Sequence, residues 1–191
     1  MACPEFGILK AGMAQMGRFL NMPVRMPSML RDAKVLDAQA GFETGMIGTV
    51  TGLVADVMDS MQLDMDMVVD FPDLLFCDDC MAGVERFARE LVVNEETIAF
   101  DVIREVGQGG SFLGHKHTFE NFRQELWMPQ LLERRNWESW ESDGSRDISE
   151  VATEKVLKML EVESPVLLSD EAERAIDAIV KKAVEAGPVS S

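Results

Sequence analysis

The sequence predicts a helix-dominated α/β fold containing pieces of a parallel sheet, too few to close a barrel. Three observations predict it. Apolar runs of strand length occur at 24–29, 55–58 and 67–69, and amphipathic stretches of helix length separate and follow them. Strand followed by helix is the order of a parallel sheet. The chain has 191 residues, whereas a complete barrel of eight strand–helix units takes about 250.

Residues 4–20 place Phe6, Ile8, Leu9, Met13, Met16 and Leu20 at helical spacing, and Asn21-Met22-Pro23 stops the run. A strand at 24–29 follows. The Ala- and Met-rich stretch 32–54 reads as a helix opening on Asp32 or Asp37 as cap, with several glycines weakening it as one unbroken element. Pro72 suits a first helical turn, and Leu74, Leu75, Met81, Val84 and Phe87 give that helix an apolar face through Leu91. Asn94 caps the next helix, whose stripe is Ala99, Val102, Ile103 and Val106, and Gly107 ends it. After a glycine-rich loop at 107–111, a short helix starts near Thr118 and Pro129 interrupts it. Trp137 and Trp140 lie on a charged segment, and Asp143-Gly144-Ser145 is a turn. Two terminal helices span 147–161 and 169–185, striped by Ala152, Val156, Met159 and Leu160, then by Ala172, Ala175, Ile176, Ile179, Val180 and Ala183.

Composition narrows the function. With 47% hydrophobic residues the chain can bury a core. Eighteen basic against thirty-four acidic residues leave a formal charge of −16, which opposes binding to nucleic acid or to an anionic membrane. No apolar run approaches the roughly 20 residues of a membrane-spanning helix, and no basic region precedes an apolar stretch at the start, so the expected location is the cytoplasm. Three cysteines, an odd number, fit reduced thiols better than a disulfide framework.

Several short motifs have ordinary structural readings. Cys77-Asp78-Asp79-Cys80 is a C-x-x-C without a second pair, read as buried or idle thiols rather than half a zinc site. Gly107-Gln108-Gly109-Gly110 lacks the Lys-Ser/Thr of a phosphate loop and is read as a helix stop plus turn. His115 and His117, two apart, diverge on a helix and have no third histidine, which argues against a metal site. Carboxylates at Asp59, Asp64, Asp66 and Asp70 surround a candidate strand end, where barrel chemistry sits. The stretch from Asp32 to Gln39 packs Asp32, Lys34, Asp37 and Gln39 into a strand-to-helix junction, a better location for a site.

Longer ordered motifs carry a resemblance. The run from Val106 through Gly107-Gln108-Gly109-Gly110-Ser111-Phe112-Leu113-Gly114-His115-Lys116-His117 to Thr118 is followed by Phe122-Arg123-Gln124-Glu125-Leu126-Trp127-Met128-Pro129 and Arg134-Arg135. Upstream stand Pro4-Glu5-Phe6, Asp32-Ala33-Lys34, Asp37-Ala38-Gln39-Ala40-Gly41, Glu43 and Glu95-Glu96-Thr97. In this order they resemble the C-terminal part of the trimethylamine methyltransferase family.

The resemblance implies the C-terminal units of a partial TIM-type (β/α)8 barrel over residues 1–125, with a helical C-terminal extension over 126–191 packing on it. It implies methyl transfer from a methylated amine to the cobalt of a corrinoid carried by a separate partner protein, with no cofactor or metal held tightly by this chain. Trimethylamine-specific members carry pyrrolysine just ahead of the Asp-Ala-Lys motif, and the corresponding position here is Leu30, which implies the non-pyrrolysine branch and a quaternary amine such as glycine betaine. The substrate-binding candidates are Asp32, Lys34, Asp37, Gln39, Glu43 and Asp64, with Phe42 or Phe71 offering a ring to a cation that has no N–H donors. Lys34 either meets a substrate carboxylate or pairs with Asp32 or Asp37. A barrel with so few strands exposes sheet edges, so self-association or pairing with the N-terminal half of a barrel is expected. The competing expectation is a non-catalytic helical interaction module anchored by its tryptophans.

Overall fold

The computed structural model describes residues 2–162 and 168–187; residues 163–167 and 188–191 of the expected extension lie outside the described residues. Pro4 and Pro72 occupy first turns of α1 (Pro4–Phe19) and α3 (Phe71–Ala88), as their missing N–H groups allow. Between these helices lie β1 (Arg25–Pro27), α2 (Ala38–Val54) and β2 (Val57–Asp59). The two strands are parallel, with Arg25 opposite Val57, Met26 opposite Met58 and Pro27 opposite Asp59. With α2 connecting them they form a β–α–β unit.

Asp37, not Asp32, caps α2, accepting the Ala40 N–H at 3.0 Å. The glycines do not break this helix. A Cβ on Gly52 would stand 2.3 Å from Val84 Cγ1, so glycine is what lets α2 and α3 approach. On α1 the buried face is Gly7, Lys10 and Ala14, against α2. The apolar residues expected to pack, Ile8, Leu9, Met13, Met16 and Leu20, face outward. Small side chains permit the close helix contact that bulky ones would block.

The third expected strand is absent. Residues 67–69 follow a short 3-10 turn (Asp64–Asp66) in which three successive non-glycine residues have positive φ, at 50°, 55° and 77°. That turn sends the chain back on itself, so Val68 makes only a single antiparallel bridge with Leu63, and Met67 and Val69 are exposed.

Downstream, the expected helix after Asn94 is broken into α4 (Glu95–Ile98) and α5 (Phe100–Val106) by left-handed Ala99. A capping box of Asn94 and Thr97 closes the first piece on itself. α3 ends at Ala88, so Leu91 lies beyond it and exposed. α6 (Lys116–Glu125) starts earlier than Thr118, because His115 caps it: Nδ1 accepts the His117 N–H at 3.1 Å. The tryptophan segment is itself a helix, α7 (Trp137–Ser142), capped by Asn136. α8 (Ile148–Leu160) and α9 (Asp170–Ala186) complete the described elements.

The chain divides into a unit of residues 1–157 and a second unit of residues 158–191. The main core of the first unit joins Met29, Phe76, Cys77, Leu131 and Ala152. Residues 130–132 are held there by Asp79, whose carboxylate accepts three successive N–H groups, from Gln130 (2.8 Å), Leu131 (2.9 Å) and Leu132 (3.0 Å). The C-x-x-C stretch therefore serves as a clamp through its acid. No described helix is long and apolar enough to cross a membrane.

Candidate functional site

Because β1 and β2 are parallel, the loops that follow them, 28–37 and 60–70, leave the same edge of the sheet. Backbone pairing continues past the strands. Met29 N–H donates to the Ser60 carbonyl (3.0 Å) and Arg31 N–H to Gln62 (3.1 Å), then Met65 N–H donates to Arg31 (2.8 Å) and Asp64 N–H to Ala33 (2.9 Å). The two loops thus form one zipped platform.

Beneath it lies a charge pair. Arg31 and Asp73 have side chains 0% and 1% exposed. The guanidinium grips the carboxylate with two nitrogens, Nη1 to Oδ1 at 2.7 Å and Nη2 to Oδ2. It also donates to the Met29 carbonyl (3.0 Å) and to Thr44 Oγ1 (3.3 Å). Asp73 sits in the first turn of α3, where the capping Asp70 accepts its N–H at 3.1 Å. One guanidinium therefore joins the β1 loop, α2 and α3.

Above the pair, Glu43 is 7% exposed and accepts the N–H groups of Asp32 (2.8 Å) and Ala33 (3.1 Å) on Oε2. Gln39 Nε2 donates to its Oε1 at 2.8 Å. Fixing the 32–33 peptide orients the Asp32 carbonyl, which accepts Lys34 Nζ at 2.8 Å. The same ammonium forms an ion pair with Asp64 across the gap between the loops. The Asp32 carboxylate accepts the Ala2 N–H at 3.3 Å. Asp32, Lys34, Gln39, Glu43 and Asp64 thus come together in one network, with Asp37 at its margin as the α2 cap. Phe42 and Phe71 are both exposed, on α2 and at the start of α3.

Positive φ at Asp64 places a strained backbone at the Lys34 contact, a feature that concentrates at functional sites. Nearby, Lys10 from α1 is buried and donates to the Pro27 carbonyl at the end of β1 and to Thr51 Oγ1 at 3.4 Å. Burial pulls its ammonium down to about 8, with Asp59 acting in the opposite direction. Burial pushes the Cys77 and Cys80 thiols up to about 12, so neither is a thiolate at neutral pH. Among the described residues no three His, Cys, Asp or Glu side chains converge as metal ligands.

Sequence reasoning did not find Arg31, Asp73 or Asp79. Arg31 and Asp73 lie 42 positions apart, so no local pattern links them. The available signal was an arginine directly after the apolar Met29-Leu30.

The chain matches the model of the trimethylamine methyltransferase (MTTB) family over residues 1–188. It is 27% identical over 181 residues to trimethylamine methyltransferase MttB of Desulfitobacterium hafniense (strain DSM 10664 / DCB-2), covering 94% of this chain and 36% of that protein. Similarity to glycine betaine methyltransferase of Desulfitobacterium hafniense (strain Y51) reaches 32% over 140 residues, 72% of this chain and 29% of the relative. With trimethylamine methyltransferase MttB of Methanosarcina barkeri it is 30% over 185 residues, 96% and 37%. The chain therefore spans about a third of the length of these curated relatives. A match across nearly the whole chain, with the strand-end network built on the Asp-Ala-Lys and Asp-Ala-Gln motifs, makes this chain a member of the trimethylamine methyltransferase family.

Proposed function

We propose that this chain forms the C-terminal units of a partial (β/α)8 barrel in a corrinoid-dependent methyltransferase of the non-pyrrolysine kind, acting on a quaternary amine that carries a carboxylate, such as glycine betaine. The observation that carries the reading is the Lys34–Asp64 pair bridging two loops at the C-terminal ends of parallel strands, the edge where barrels bind their substrates. Support for a barrel comes from the β1–α2–β2 unit. Among the described residues each strand has only the other as partner, so the outer edges are open to the strands of the remaining barrel. Buried Leu30 stands at the position the resemblance equates with pyrrolysine.

The network favours a carboxylate-bearing amine. Asp37 is engaged as a cap, Glu43 holds three donors, and Asp64 is matched by Lys34. What this edge offers a ligand is the ammonium of Lys34, 64% exposed and paired to a carboxylate that is itself 35% exposed. Such a pair is worth only about 0–1 kcal/mol, so a substrate carboxylate can replace Asp64 at little cost. The quaternary end would then face aromatic surface, such as Phe42 or Phe71, since it cannot accept or donate a hydrogen bond at nitrogen. The partner's corrinoid supplies the nucleophilic cobalt, so the chain's own residues orient the amine and exclude water.

The test mixes the chain, together with the polypeptide that supplies the remaining barrel strands, with a reduced corrinoid protein and glycine betaine and follows the methylcobalt absorption spectrum. Methyl transfer from glycine betaine is expected, with Lys34→Met raising its KM by about tenfold, ~1.4 kcal/mol, while tetramethylammonium, which has no carboxylate, is unaffected. Transfer from trimethylamine but not from glycine betaine would refute the reading.

A further inference from the structure

We propose that the cleft between the arm at residues 128–135 and the start of α8 is a binding site for a small monocarboxylic acid with an apolar body. The inference does not depend on the methyl-transfer reading. The cleft lies within the first unit and holds about 350 Å³, the size of a small-molecule site. Its apolar lining is Met128, Leu131, Ile148, Val151 and the Trp140 ring. Leu131 belongs to the main core, and Ile148 and Val151 pack against it. The lining is held from several directions. Asp79 takes the N–H groups of Gln130, Leu131 and Leu132, Lys155 Nζ donates to Gln130 Oε1 at 2.8 Å, and Trp140 Nε1 donates to the Arg146 carbonyl at 3.0 Å. A cleft fixed in this way before a ligand arrives spares much of the ordering cost of binding.

Charge names the ligand. Three arginines and three acids also line the cleft, and the acids are all engaged. Arg135 grips Glu133 through Nε (2.9 Å) and Nη2 (2.6 Å) and reaches Asp143 through Nη1 (2.6 Å). Asp147 accepts the Glu150 N–H at 2.9 Å at the start of α8. Arg146 is paired with Glu154. Arg134 differs from the other two arginines. It donates one nitrogen to the Trp127 carbonyl and, among the described residues, has no carboxylate partner. In a chain of formal charge −16, the one unanswered charge at this cleft is therefore positive. A guanidinium fork matches the two oxygens of a carboxylate, while the apolar lining calls for a hydrocarbon or aromatic body. The neighbouring Glu133, Asp143 and Asp147 carboxylates select a single negative charge, because a second one on the ligand would meet them as a like charge.

Titration of the full chain with phenylbutyrate, and separately with phenylbutanol as the same body without the charge, tests this by N–H NMR. Saturable shifts are expected at the Trp140 indole N–H and at the amides of Leu131 and Val151, with the alcohol binding about tenfold more weakly than the acid. Arg134→Met should lower affinity for the acid by about tenfold and leave that for the alcohol unchanged, a split that a merely structural loss would not produce. No saturable shift up to the solubility limit of the acid, shifts that saturate elsewhere in the chain, or an alcohol as tight as the acid would each overturn the proposal. So would an Arg134→Met chain that binds the acid as the wild type does, or that loses both probes alike.

Discussion

Replacing Asp73 with alanine would leave the Arg31 guanidinium buried without its counter-ion. Both side chains are excluded from water, and two of the four hydrogen bonds of the guanidinium end on Asp73. Removing one member of a buried, hydrogen-bonded ion pair costs about 3–5 kcal/mol, because the remaining charge has no solvent to turn to. Removing both is a different experiment. Arg31→Met with Asp73→Ala deletes the charges together, so its cost should be the smaller, set mainly by the Met29 carbonyl and Thr44 hydroxyl left without their donor, about 1–3 kcal/mol. Urea unfolding of the four proteins closes a double-mutant cycle, and a coupling of at least about 2 kcal/mol is expected. The cycle has a second readout at the site, because Arg31 holds the loop that presents Lys34. In Asp73→Ala the amides of Asp32 and Ala33 should exchange with solvent faster than in the double variant. An Asp73→Ala cost below about 1 kcal/mol, comparable to a surface pair, would refute the argument that this pair anchors the platform.

Glu43→Gln keeps the shape of the side chain but turns an acceptor oxygen into a donor facing donors, so a loss of about 1–3 kcal/mol is expected, with faster hydrogen exchange at Asp32 and Ala33 by NMR. For Lys10 the folded-state pKa is about 8 against an unfolded value of 10.5. Between these two values the unfolded chain binds the extra proton, so stability should rise with pH by up to about 3 kcal/mol, and Lys10→Met should flatten that rise in urea midpoints measured against pH. Alkylation by iodoacetamide at pH 8 should label exposed Cys3 well before Cys77 and Cys80, whose thiols burial pushes up to about 12, with all three labelling alike in urea.

Helix positions were legible where capping and proline chemistry is local. Asn94, Ser169, Pro4 and Pro72 mark starts that the structure keeps. Strand content was less legible. The run Met67-Val68-Val69 has the composition of a strand, but pairing is decided by the backbone turn at 64–66, and nothing in Asp-Met-Asp signals three left-handed residues. The outward face of α1 was misjudged for a related reason. Periodicity marks which residues share a side, and the side that makes the contact is the one whose glycine and alanine let α2 come near.

For the site, the sequence drew attention to a segment whose polar side chains the folded chain gathers into one network, and most of them are already engaged there. Four acids near a strand-to-helix junction look like a pocket for a cation. In the folded chain each already has a local partner. Asp37 ends a helix, Glu43 gathers two backbone amides and a side-chain amide, Asp64 answers Lys34, and Asp32 takes the Ala2 amide. Carboxylates engaged in this way have little charge left for a ligand, because each backbone N–H and each ammonium has already lowered the local negative potential. The group with an exchangeable partner is the lysine. Under the barrel reading, the negative and aromatic surface that a quaternary nitrogen needs comes mainly from the strands that pair with β1 and β2, and this segment grips the opposite end of the substrate. Substituting Asp64 by Asn separates the two roles. It should free Lys34 and lower KM for a carboxylate-bearing amine, whereas an Asp64 that bound the cation would raise it.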